Sequence, residues 1–111
     1  MKIITKAIEK AFLKQGDTSA MNAKDIKIVM KLFNPMGAGT WYLYEKLDDD
    51  IYMCFANLGD PMYAECGTIS LSELMSIKLR FGLKIERDMH FEPLSISLRD
   101  VIDKIKNGGH V

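Results

Sequence analysis

The sequence predicts an α+β domain of two layers: a four-stranded antiparallel meander sheet with an N-terminal helix and two C-terminal helices. Three observations lead there. Apolar residues recur at helical spacing near both ends of the chain. Between those ends the spacing shortens to two or gives way to short apolar blocks. The blocks are separated by turn segments too short to hold a crossover helix, so successive strands run antiparallel. Grouped strands flanked by helices imply helices packed on one face.

The elements follow in order. Ile4, Ala7, Ile8, Ala11 and Phe12 form one helical stripe, with Lys6, Lys10 and Lys14 on the opposite, solvated face. Gly16 offers the left-handed conformation that ends a helix. From Ile26 to Phe33 apolar residues alternate with Lys27 and Lys31, the pattern of a half-buried strand. "NPMGAG" (34–39) is turn chemistry, and "TWYLYE" (40–45) is rich in strand-forming side chains. "LDDD" (47–50) turns into a third strand, "IYMCFANL" (51–58), and "GDP" (59–61) leads to a fourth, from about Tyr63 to Ile69. Ser70 with Glu73 forms a capping box, so a helix starts at Leu71, turns Leu71, Leu74, Met75 and Leu79 inward, and stops near Gly82. Leu83 to Asp88 is a short edge strand or an extended segment. After Pro93, Ser97 and Asp100 form a second box; Leu98, Val101, Ile102 and Ile105 follow, and Gly108 closes the helix.

The bulk composition fits one domain, 1–111, with one core: 111 residues, 48% hydrophobic, 27% charged. A formal net charge of zero argues against a protein whose main task is gripping nucleic acid, which usually needs a basic excess. No signal peptide and no apolar run long enough to span a membrane are visible, so a cytoplasmic protein without a membrane partner is expected. Cys54 and Cys66 have no metal-ligand spacing. They are expected as two buried thiols on neighbouring strands rather than as a disulfide. No phosphate loop, dinucleotide fingerprint, zinc-protease helix or nucleophile elbow occurs. No metal or cofactor is expected.

"IERDMHFEP" (85–93) carries the densest chemistry. Glu86 and Asp88 are two apart, on one face of an extended segment. As a crowded pair they suit general acid/base work with His90, the one imidazole not beside the C-terminus. Arg87 would point the other way. The competing reading is structural: Asp88 caps the turn at Met89, while Arg87 binds carbonyls or a carboxylate. Trp41, with Tyr42 and Tyr44, is either core or an aromatic platform for a flat ligand.

"KLFNPMGAGTWYLYE" (31–45), "CFANLG" (54–59), "GTISLSEL" (67–74) and "GLKIERDMHF" (82–91), in that order, resemble the bacterial family catalogued as domain of unknown function 2958. The resemblance runs from about Lys31 to Phe91. It implies a setting among the cargo of mobile genetic elements, near antirestriction or DNA-transfer genes. It marks Trp41, Glu45 and the 86–90 cluster without dividing folding from catalysis. The expected function is therefore a small accessory module that binds a protein partner through Trp41, Glu45 and Arg87. The alternative is a metal- or acid/base-dependent hydrolase acting on nucleic acid through Glu86, Arg87, Asp88 and His90.

Overall fold

The computed structural model of the chain describes residues 3–111. Met1 and Lys2, which precede the amphipathic pattern in the sequence, lie outside the described residues. Helix α1 spans Lys6–Gln15. Thr5 caps it, its Oγ1 accepting the Ile8 N–H at 3.2 Å, and Gly16 ends it at φ 67° with its N–H on the Phe12 carbonyl. Ile8, Ala11 and Phe12 are buried, and Lys6, Lys10 and Lys14 stay in solvent, as their spacing requires.

The sheet has five strands, one more than predicted. These are β1 (Met30–Phe33), β2 (Thr40–Lys46), β3 (Ile51–Asn57), β4 (Glu65–Ser70) and β5 (Glu86–Arg87). Their spatial order is β4-β3-β2-β1-β5, and every neighbouring pair is antiparallel. The extra strand is the short edge segment, which pairs Glu86 with Phe33 and Arg87 with Leu32.

The expected two-layer stacking is also corrected, because helices cover both faces. Val29, Met30, Leu32, Trp41, Leu43, Tyr52 and Cys54 pack with α1 and with Leu74 of helix α2 (Leu71–Met75). Ile26, Ile28, Tyr42, Tyr44 and Phe55 pack with Leu98, Val101 and Ile105 of helix α3 (Leu98–Lys106) on the other face. The physical reason lies in β2 and β3. "WYLY" is buried along its whole length, so both faces of these strands need cover.

The stretch read as one strand from Ile26 changes partner part-way. Ile28 N–H donates to the Ile96 carbonyl and Leu98 N–H to the Ile26 carbonyl, whereas Val29 N–H reaches Leu43 on β2. The alternation breaks there: Val29 and Met30 both enter the α1-side core, while Ile26 and Ile28 belong to the α3 side. Helix α2 is shorter than predicted. It stops at Ser76, whose hydroxyl donates back to the Glu73 carbonyl at 2.6 Å. Its start is as expected, with Ser70 Oγ accepting the Glu73 N–H. The rest of the cap comes from Asp50, which accepts the Ser72 N–H at 2.8 Å and both serine hydroxyls. Those bonds hold the Asp50 carboxyl below its usual range. Ser97 caps α3 through the Asp100 N–H at 3.1 Å.

A bulge between Leu43 and Glu45 sets Tyr44 apart in the β2–β3 ladder. Gln15, at the end of α1, ties it down. Its amide donates to the Tyr44 and Lys27 carbonyls and accepts the Lys27 N–H. The two cysteines sit one register step apart, Cys54 opposite Gly67 and Cys66 opposite Phe55. They face opposite ways, and Cys54 lies on the interior strand β3 while Cys66 lies on the edge strand β4, so Cys54 is buried and Cys66 exposed, which corrects the expectation of two buried thiols. Burial pushes the Cys54 thiol up to about 12.

Candidate functional site

The pairing of β5 with β1 decides where the 86–90 cluster points. Asp88 N–H donates to the Lys31 carbonyl at 2.9 Å, continuing the register one residue beyond Arg87. With a period of two, Glu86 and Asp88 fall on the face of Phe33 and Lys31, and Arg87 on the opposite face. Arg87 lines a cleft of about 220 Å³ on the α1 side, with Thr5, Ile8 and Met30. Its Nε is buried and has no hydrogen-bond partner among the described residues.

Asp88 acts as a pin. One carboxylate oxygen accepts the His90 N–H at 2.9 Å, closing the turn at Met89, and the other lies 3.6 Å from Lys31 Nζ. The His90 residue itself is exposed. Glu45 does not join the cluster. It is buried at 9% exposure beyond the bulge, where it accepts the Thr18 N–H at 3.0 Å and the Thr18 hydroxyl. Trp41 lies across Leu32 from Arg87, and Glu45 is four residues farther along β2, roughly 13 Å at strand rise. Among the described residues no three His, Cys, Asp or Glu side chains gather as a metal site.

Trp41 is core. It is 9% exposed, and its indole lies over Gly39, where an added Cβ would stand 3.1 Å from Cη2. Tyr42 and Tyr44 are buried on the other face. The aromatic-platform expectation is corrected: the strands are covered on both sides, and Trp41, Tyr42 and Tyr44 are at most 9% exposed.

Lys31 organises a second group of contacts. Its ammonium reaches Asp88, donates to the Val111 carbonyl and stands 5.8 Å from the centre of the Tyr42 ring. It borders a cleft of about 240 Å³ floored by Thr40, Tyr42 and Asn57, with Gly59 and Pro61 on one side and Gly108–Val111 on the other. The C-terminal tail turns back, Gly109 N–H donating to the Lys104 carbonyl at 2.7 Å, which brings His110 to the cleft wall. Burial raises the Tyr42 phenol to about 12, a bond with Thr40 works against the rise, and the Asp88 charge adds to it. The Tyr42 phenol on the cleft floor therefore stays neutral at pH 7. The glycines after α3 were the available signal; their partner was not visible in sequence.

Next to this cleft is an apolar end of the sheet. The turn 34–39 abuts the connection 58–64, and a Cβ on Gly59 would lie 3.3 Å from that of Ala38. Met36, Leu58, Met62 and Tyr63 all project into solvent there. The connection is held firmly: Asp60 accepts the Met62 N–H at 2.9 Å, and Lys106 Nζ of α3 donates to the Met62 and Ala64 carbonyls at 3.1 and 2.6 Å.

A family model described as "Protein of unknown function (DUF2958)" matches residues 3–111. No curated protein and no solved structure matches the chain. No helix among the described residues is long and apolar enough to cross a membrane.

Proposed function

The chain belongs to the DUF2958 family, and on that premise we propose that it is a non-enzymatic accessory module that binds a protein partner through the apolar end of its sheet. The carrying observation is that Leu58, Met62 and Tyr63 are exposed on a connection braced by Asp60 and Lys106, with Met36 exposed on the turn that abuts it. Exposed apolar clusters mark interaction surfaces, and a braced display loses little freedom on binding. The family resemblance to mobile-element cargo suggests the kind of partner: a nuclease, methyltransferase or transfer component encoded nearby. This surface replaces the one expected at Trp41, Glu45 and Arg87, of which Trp41 and Glu45 are buried. The hydrolase alternative has little geometric support, since Arg87 faces away from Asp88, His90 is exposed on a turn and Glu45 is remote.

A photo-crosslinking side chain at Tyr63, in cells carrying the native gene neighbourhood, tests the proposal. It should join one protein from that neighbourhood. Leu58→Ser with Met62→Ser should abolish the adduct while leaving the melting temperature unchanged. An adduct insensitive to that pair, or none at all, would overturn the reading.

A further inference from the structure

We propose that the loop 76–85, between α2 and β5, docks on an anionic membrane surface, with Phe81 as the side chain that enters the lipid. Phe81 has φ 60° and ψ 26°, Gly82 follows at φ 73°, and Leu83 N–H donates to the Arg80 carbonyl at 3.2 Å. Two consecutive left-handed residues are the signature of a type I′ turn, whose first central position normally holds Asn, Asp or Gly. Phenylalanine there is strained, and it is 89% exposed.

Leu94 makes the contrast. It too has a positive φ, of 64°, but its N–H bonds to the Ile28 carbonyl at 2.8 Å and it packs against the α1-side core. The fold accounts for Leu94, whereas the ring of Phe81 is left to solvent. A strained residue that presents a large apolar group to water points to a partner outside the chain.

The surroundings indicate which partner. Ile77 and Leu83 are exposed beside the tip, as are Lys78, Arg80 and Lys84. No acidic residue occurs between Glu73 and Glu86, so this stretch is cationic in a chain of zero net charge. Apolar residues at an apex flanked by cations match an acyl layer beneath anionic headgroups. A nucleic acid would match the cations and the ring but leave Ile77 and Leu83 without a role. The expectation of no membrane partner rested on the lack of a spanning segment, which surface docking does not need.

The full chain is tested by flotation with vesicles of phosphatidylcholine alone and of equimolar phosphatidylcholine and phosphatidylglycerol. It should bind the anionic vesicles, less so as salt rises. Phe81→Gly should weaken binding by about tenfold or more without lowering the melting temperature, because glycine suits the turn. Lys78→Ser with Arg80→Ser should weaken it by a similar factor. Tryptophan introduced by Phe81→Trp should show an emission blue shift on vesicles that the native chain, with Trp41 buried, does not. Absence of flotation with anionic vesicles, full binding by Phe81→Gly, or tip-dependent binding of oligothymidylate in place of vesicles would overturn the proposal.

Discussion

Replacing Lys31 with methionine isolates the strap that joins β1 to two segments remote in sequence. The substitution keeps most of the apolar stem and removes the ammonium. Three contacts go with it: the ion pair with Asp88 at 3.6 Å, the bond to the Val111 carbonyl and the approach to the Tyr42 ring. The side chains of Lys31 and Asp88 are 17% and 27% exposed, so solvent screens the pair only in part. Such a pair contributes up to about 1 kcal/mol. A bond from a charged donor contributes about 1.5 kcal/mol at the low end of its range, and the ring contact about 0.5 kcal/mol. One ammonium serves all three, so the terms do not add fully. We expect a loss of about 2 kcal/mol, which for a chain of this length lowers the melting temperature by about 8 °C. Thermal unfolding by circular dichroism measures that shift. Heteronuclear NOEs at His110 and Val111 report whether the tail detaches. Asp88→Asn separates the roles: asparagine can still accept the His90 N–H, so the tail should stay ordered and the loss should be no more than about 1 kcal/mol. A Lys31→Met protein that melts like the wild type, with an ordered tail, would refute the strap.

Three further outcomes follow from the burial pattern. Val101→Ala, on α3 and fully buried, should cost about 2 kcal/mol in chemical denaturation, whereas Leu13→Ala, at an exposed position of α1, should be near neutral; equal effects would deny that the α3 face is a second core. A thiol reagent should modify Cys66 promptly and Cys54 only on unfolding. The folded Cys54 thiol lies near 12 against an ordinary 9.0, and Tyr42 near 12 against 10.0. Both bind their protons more tightly when folded, so their contribution is intact below about pH 9 and is lost as pH rises toward 12. Melting temperature followed across that range should fall, and Cys54→Val should flatten the lower part of the fall.

Much of the fold was legible because it is written in neighbouring residues. The stripe of α1, its end at Gly16, the caps at Ser70 and Ser97, and the strands at 40–46 and 51–57 each follow from side chains within a few positions of one another. The tight turn at Met89 also follows from its neighbours, Asp88 accepting the N–H two residues on.

Tertiary structure decided the rest. An amphipathic helix needs an apolar surface but does not specify which one, so the side of the sheet that α3 takes was open until both faces of β2 were seen to be apolar. "WYLY" carried that signal, and with it the burial of Trp41. The division of residues 26–33 between two partners depends on hydrogen bonds to residues 96 and 98, far along the chain. The candidate site depends on the same kind of distance: Lys31 meets Asp88 and Val111 only because β5 pairs with β1 and the tail folds back past α3. The sequence by itself determined what each segment could become; packing on two faces determined which segments meet, because burial rewards any apolar surface and only the assembled chain offers a particular one.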